Sequence, residues 1–466
     1  MSAPFIPFNA KSGYIEGTTC ALADYPPKVK KLVPADMVGS AKFYGNLNGK
    51  NVYLYGGSDW DRVGFTFPNS SDEFSAATTS SIRVAMLTDK LGVVAYIVAT
   101  KLYAKAFTIG GGGYFTFGSA VTVNDADTGV MPSICRVSDS TYAIAYVDDG
   151  GSDFVYVRMG SVSGTVITQG DESASMSAAA AANVDDGVGI CMPRPTVLAV
   201  VWTSAADTFG YCTAVTFATT VVGTPGTAVE FATASQNSDI PSCCSHSLGY
   251  ISVAYRDADN SNYLTINIGT VSAAGVVAFG GSEEALNASA TTDIKIHSPR
   301  TNSMVISYLD ASADPSLIAG GVVAGALTTF VQGAVVALTA TGYTASVTSA
   351  ILSPTEVAIA FCDDALSGDL GCIKRYTISW ASTGAGTLTA DSVLDIWLET
   401  STKGACFMAA TKLGEVVVGF ADIDASSHGQ LQYGRFSKNI MDIRSGTAAA
   451  TYSLWISSIK EYVKTN

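Results

Sequence analysis

The sequence predicts an all-β fold, a seven-bladed β-propeller of four-stranded antiparallel blades, and three observations carry that expectation. The first is recurrence. A short apolar strand ending in an aromatic residue is written seven times, closing on Tyr96, Tyr146, Trp202, Tyr255, Tyr308, Phe361 and Phe420, at spacings of 50, 56, 53, 53, 53 and 59 residues. A period near fifty with variable loops marks an array of stacked units. The second is alternation. Two places before each aromatic stand Val94, Ile144, Val200, Val253, Ile306, Ile359 and Val418, all β-branched, the side chains a pleated sheet packs best. One place before stand Ala95, Ala145, Val201, Ala254, Ser307, Ala360 and Gly419, nearly all small and, by alternation, on the opposite face. Neither face carries a charge, so the strand lies between two neighbouring sheets, with the bulky face of one over the flat face of the next.

The third observation concerns how such an array ends. Eleven residues upstream of each aromatic runs a second column, Ala85, Cys135, Cys191, Cys244, His297, Ala350 and Ala409, which marks the preceding strand. A third strand follows each aromatic, as at 154–159 and 263–268, and a fourth ends in glycine, at Gly118, Gly170, Gly280 and Gly333. The last repeat has strands near Ala409, at 415–420 and at 430–436, and no fourth. Residues 63–68 resemble 114–118, and Pro68 precedes Ala85 by 17 residues, as Gly118 precedes Cys135. Residues 63–67 are therefore expected to pair with 430–436 and close the ring, because unpaired sheet edges invite aggregation.

Around this propeller, residues 63–437, the sequence places two tails. Residues 1–62 form an arm with Pro at 4, 7, 26, 27 and 34, followed by a hairpin over 43–55 turning at Asn48-Gly49. Residues 438–466 end in a short amphipathic helix with Trp455, Ile459, Tyr462 and Val463 on one side. An alanine run at 178–182 lengthens one link between blades. Residues 316–338 carry no charge and are long enough to cross a bilayer, but they fall where the third and fourth strands of a repeat fall, so no membrane span is expected.

Composition narrows the partners. Forty acidic residues against 26 basic give a net charge of -14, which disfavours a phosphate-tracking surface and hence nucleic acid. Nine cysteines, several in strand columns and none in a C-x-x-C pair, read as reduced core thiols. Adjacent Cys243 and Cys244 would face opposite ways. No secretory signal is recognised at the start, so synthesis in a cytoplasm is expected.

The chemistry looked for is absent from the sequence. Of three histidines, His297 sits in the strand-one column, His246 two places past Cys244 and His428 in a turn; no zinc signature results. Asp148, Asp257, Asp310, Asp363 and Asp422 recur two places after the aromatics, where an Asp caps its own turn. Asp257-Ala-Asp259 and Asp422-Ile-Asp424 begin like calcium loops but lack the glycine and terminal Glu. Gly110 to Gly113 is no phosphate loop, and no sialidase-type S-x-D-x-G-x-T-W box occurs. The sequence thus names no catalytic, cofactor-binding or metal-binding residue, and no enzyme, cofactor or metal is expected.

The repeat V-A-Y-x-D, T-V, F-G, set in Ala-, Thr-, Ser- and Gly-rich sequence, resembles the propeller repeats of bacteriophage and other virion proteins, particularly tail, nozzle and fibre components. That resemblance implies a structural or attachment protein of a virus particle, part of an oligomeric assembly. It would dock to other virion proteins through residues 1–62 and 438–466 and display the propeller outward, with a host-surface glycan as a further partner. The alternative is a lectin-like glycan-binding propeller, whose sign would be exposed aromatics such as Trp60 or Trp380. A second alternative is a carbohydrate-active enzyme, disfavoured because no paired-carboxylate site is recognisable.

Overall fold

The computed structural model describes residues 71–437 except 111–112, 125–128, 149–152, 178–186, 205–206, 233–237, 281–282, 324–325, 339–343, 364–369, 391–394, 399–405 and 423–426; outside that range it describes the strands Tyr14–Glu16, Asn46–Leu47, Lys50–Asn51, Gly64–Thr66 and Ser453–Trp455. The chain forms two compact units, one of Asn69–Ala390 with Ile396–Gly434, the other of Met1–Pro68, Asp391–Asp395 and Arg435–Asn466. The described residues contain strands and no helix.

In the larger unit each repeat becomes one antiparallel sheet. The second repeat shows the pattern: Gly129–Arg136, Thr141–Asp148, Phe154–Ser163 and Val166–Glu172 pair in that order. The third to sixth repeats build sheets of the same order, each with one additional short strand on its third strand. The stretch 316–338 lies in the strands Pro315–Val323, Ala326–Gln332 and Val336–Ala337, and no helix among the described residues is long and apolar enough to cross a membrane.

The two sequence columns are the packing surface. Every β-branched residue of the first column, from Val94 to Val418, has 0% exposure, and the aromatics beside them reach at most 4%. Ala95 of the first repeat packs with Ile144 and Tyr146 of the second, Ala145 with Val200 and Trp202 of the third, and Val201 with Val253 and Tyr255 of the fourth. Ser307, the one polar member of the small column, meets the Ser349 hydroxyl of the next sheet at 2.8 Å, so its burial leaves nothing unpaired. From the first repeat to the fifth, the flat face of the central strand thus receives the bulky face of the following sheet.

The glycines after the fourth strand have a matching cause. A Cβ at Gly118 would overlap the carbonyl oxygen of Thr165 in the next sheet, one at Gly170 that of Thr220, and one at Gly333 that of Gly386. Backbone therefore touches backbone between neighbouring sheets, which only glycine permits. Gly280 is the exception, with nothing within 4 Å.

The ends of the array meet differently from the sequence expectation. The last repeat supplies Phe407–Ala410, Val416–Asp422 and His428–Ser437. Its third strand pairs with the 15-residue strand Asp72–Met86, Leu431 opposite Asp72 and His428 opposite Thr78, while residues 79–86 of the same strand pair with Leu91–Val98 of the first repeat. One nine-stranded sheet results. Residues 64–66 do pair with the end of the last strand, Thr66 opposite Arg435 and Gly64 opposite Ser437, but the strand expected at 63–67 is followed by a second stretch, 72–78, that serves residues 428–431. Phe74, the one large apolar residue of that stretch, is buried 4.9 Å from the Tyr96 ring, and a Cβ at Gly429 would strike it. Val84 and Val94 of the first repeat share a cluster with Val417 and Leu431 of the last.

In the smaller unit, Tyr14–Glu16 pairs antiparallel with Ser453–Trp455, Tyr14 opposite Trp455, and Asn46–Leu47 pairs with Lys50–Asn51. Trp455 is thus extended rather than the start of a helix, because its backbone is committed to Tyr14. The rest of the expected helix, the remainder of the 1–40 arm, the Asn48-Gly49 turn, Trp60, Asp424 and the alanine run 178–182 lie outside the described residues.

Gly118→Ala and Gly170→Ala should each lower stability by about 1–3 kcal/mol through overpacking at the sheet contact, while Gly280→Ala should stay within ~0.5 kcal/mol. Urea unfolding midpoints of the three variants check the ordering.

Candidate functional site

One cavity of about 990 Å³ in the larger unit is lined by residues from the first strand of all seven repeats, from Ser81 and Arg83 through Ser133, Gly189, Ser242 and Lys295 to Ser346 and Phe407. Several of those strands are irregular in the same place. Register shifts occur between Ser80 and Arg83, Val130 and Ser133, Asp239 and Ser242, Thr292 and Lys295, and Thr344 and Val347. A bulge adds backbone on one strand and re-aims the side chains beside it; Ser81 and Asp293 sit there in the left-handed region at φ 49 and 48.

The bulges also tie neighbouring sheets together. Ser242 Oγ accepts the Ile296 N–H at 3.3 Å, Asp293 Oδ2 accepts the Val347 N–H at 2.6 Å, and Thr348 Oγ1 accepts the Met408 N–H at 3.2 Å. Each bond gives a side-chain partner to a backbone donor of the next repeat's first strand.

Charge in the cavity is concentrated at four side chains. Lys295 Nζ donates to Asp293 Oδ1 at 2.5 Å. Burial alone would raise the Asp293 carboxyl, but Lys295, the Val347 N–H and the charge of Arg83 together hold it below the usual carboxylate range. Arg136 pairs with Asp139, which also meets Lys412. Arg83 donates from Nη1 to the Ile82 carbonyl at 2.9 Å, and its guanidinium lies 5.3 Å from the centre of the Phe407 ring. Burial lowers its pKa while Asp293 pulls it back up. Asp293 is the single carboxylate among the described lining residues.

Both inner histidines are neutral near pH 7. His297 lines the cavity, its Nε2 is buried without a partner, and burial, with Lys295 adding to it, holds its pKa at about 4. His246 meets Ser252 Oγ through Nδ1 at 2.8 Å and is held at about 4 by burial. The Cys135 thiol is pushed up mainly by burial, and that of Cys243 by its hydrogen bond with Cys191 and by burial, so neither is a ready nucleophile. Cys243 and Cys244 fall in different apolar clusters, on opposite faces of their strand, and the eight described cysteines are free thiols.

The sequence candidates separate cleanly. Asp257 Oδ1 accepts the Asn260 N–H at 3.1 Å, and Asp310 Oδ1 accepts those of Ser312 and Asp314 at 2.8 and 3.1 Å. These are turn caps, and the described residues contain no group of three or more potential metal ligands. Trp380 is half-buried, with the Arg300 guanidinium 4.6 Å from its ring centre and its Nε1 bonded to the Pro354 carbonyl at 3.0 Å. It is no open aromatic platform. What sequence reasoning passed over is the row two places before the strand-one column: Arg83, Ser133, Gly189, Ser242, Lys295, Thr348 and Phe407. Two cations among small and hydroxyl residues were the available signal.

No protein-family profile matches the chain, and no curated protein matches it. Solved structures do. The BP39L lectin from Burkholderia pseudomallei is 10% identical at a TM-score of 0.53, over 78% of this chain and 97% of the lectin. The intramolecular trans-sialidase from Ruminococcus gnavus is 8% identical at 0.44, over 81% of this chain and 99% of that one. The Hadza microbial sialidase Hz136 is 10% identical at 0.40, over 73% of each chain. At such identities the likeness is one of fold, an all-β, propeller-like architecture, and the lectin carries it. It lends no support to a phage-tail, virion or host-attachment role. The expectation that the chain is not an enzyme is withdrawn, since sialidases are among the solved structures it matches.

Because burial holds both imidazoles at about 4 against ~6.5 in an unfolded chain, the unfolded chain binds more protons between those values. Their stabilising contribution is complete above about pH 6.5 and is lost as pH falls toward 4. NMR titration should find the ring signals of His246 and His297 unchanged from about pH 8 to about pH 5.

Proposed function

We propose that this chain is a glycan-binding β-propeller of seven blades, with the ligand held in the central cavity. Two features support the seven-bladed reading: apolar clusters join each repeat to the next from the first to the sixth and the last to the first, with Thr348 of the sixth bonded to Met408 of the last, and all seven first strands line one cavity. The cavity is the observation that carries the functional reading. It is mostly polar, rimmed by the hydroxyls of Ser81, Ser133, Ser242 and Ser346 with Arg83 and Lys295 among them, and its size lies at the upper end of ordinary ligand pockets.

Such a lining suits a hydroxyl-rich ligand, whose many donors and acceptors need partners once water is displaced. Backbone held in stacked sheets fixes these side chains before binding, so little ordering entropy is lost on association. The fold shared with a lectin agrees with this reading.

A glycan array probed with the full chain should return a defined set of binders, and Ser133→Tyr, which adds bulk to the cavity lining without a new charge, should weaken them at least about ten-fold, the loss expected when even 1.4 kcal/mol of contact is removed. Binding that survives Ser133→Tyr would move the site elsewhere, and an array without binders would end the glycan reading.

A further inference from the structure

Arg83 is the unusual member of the cavity wall. In a chain of net charge -14, the described charged residues lining the cavity are Arg83, Arg136 and Lys295 against Asp293 alone. Lys295 is already bonded to Asp293, and Arg136 to Asp139. The Asp293 carboxylate in turn spends its second oxygen on the Val347 N–H. Those pairs leave Arg83 as the cation without an ion-pair partner in the cavity.

Its donors point the same way. A guanidinium offers five N–H donors in a planar fork, and the described hydrogen bond of Arg83 uses one of them, on the carbonyl of its own neighbour Ile82. The Phe407 ring lies against the guanidinium at 5.3 Å, which fixes its plane at the favourable cation–π distance. A partly desolvated guanidinium held in one orientation, with most of its fork unspent, matches an oxyanion in two-point geometry. The orphaned Nε2 of His297 is a second polar atom of the same wall that lacks a partner within the protein. The His297 strand stands beside Arg83 electrostatically, since Asp293 at its start is felt by Arg83.

Resting on the glycan-binding reading, we infer that the ligand is an acidic sugar, one bearing a carboxylate or sulfate group that docks on the Arg83 guanidinium while the serine hydroxyls around the cavity hold the sugar ring. The neutral imidazole of His297 and the Lys295–Asp293 pair add polarity without adding a competing negative charge.

The test uses the full chain against glycoconjugates that share one skeleton, ending in galactose, galacturonate or galactose 6-sulfate. The galacturonate or the sulfate conjugate should bind at least ten-fold more tightly than galactose, and the advantage should shrink as salt is raised. Which of the two binds better identifies the oxyanion. Arg83→Gln should abolish the advantage of the acidic conjugates over galactose, whereas Arg83→Lys, which keeps the charge and loses the fork, should retain part of it. Should Arg83→Gln fail to fold by thermal unfolding, phenylglyoxal modification of Arg83 in the unaltered protein, read by mass spectrometry, should be blocked by galacturonate and not by galactose. Equal binding of all three conjugates, or modification of Arg83 unaffected by the acidic sugar, overturns the inference and leaves the glycan reading standing. Absence of binding to any of them and to the wider array overturns both.

Discussion

A single strand, Asp72–Met86, belongs to the sheet of the first repeat through one half and to that of the last repeat through the other, and the rest of the larger unit depends on that double membership. Thr79 continues it, donating its N–H to the Ser427 carbonyl at 2.9 Å across a sequence separation of 348 residues. Without the pairing, the three-stranded last sheet would present an open edge, with the backbone donors and acceptors of residues 428–431 that face away from Val416–Asp422 unpaired. Exposed edges of that kind template aggregation. The contact is also the most non-local in the unit, and loop-closure entropy grows only slowly with length. The long closure is therefore thermodynamically affordable while still being slow to form.

The cavity is the second consequence of the stacking. The first strands of the repeats line it, and the bulges at Ser80/Arg83 and Thr292/Lys295 stand beside its charged residues. Lys295 and Asp293 neutralise each other there, and the Val347 N–H joins them to the next sheet. The same residues thus hold sheets together and set the polarity of the wall. At Asp293 the polarity of the wall and the joining of sheets are not separable, whereas the described hydrogen bond of Arg83 goes to the carbonyl of its own neighbour.

Much of this was legible in the sequence, and the limits have physical causes. The columns around Tyr96, Tyr146 and their counterparts identified the central strands because packing on both faces demands one residue type at each place. The glycine column at Gly118, Gly170 and Gly333 was visible too, although its reason, a neighbouring carbonyl where a Cβ would be, needs coordinates. The closing strand was placed at 63–67 because residues 63–68 imitate 114–118. The other stretch that pairs with the last strand, 72–78, holds a single large apolar residue, Phe74, and so carries no alternating pattern. Arg83 and Lys295 went unnoticed because a lone cation in a strand reads as a solvated residue until the strand is known to line a cavity. The virion reading gained no support, for a different reason. Small, hydroxyl-rich residues are what any stack of tightly packed sheets selects, so the texture of the repeat reports architecture and says nothing of the particle or ligand it serves.

Hydrogen exchange on the full chain, read by mass spectrometry, tests the double membership of Asp72–Met86 most directly. The account predicts that peptides covering residues 72–78 and 428–431 are protected as strongly as the central strand Tyr250–Asp257 and open together with it. Exchange of either peptide within seconds, while the central strands stay protected, would contradict it.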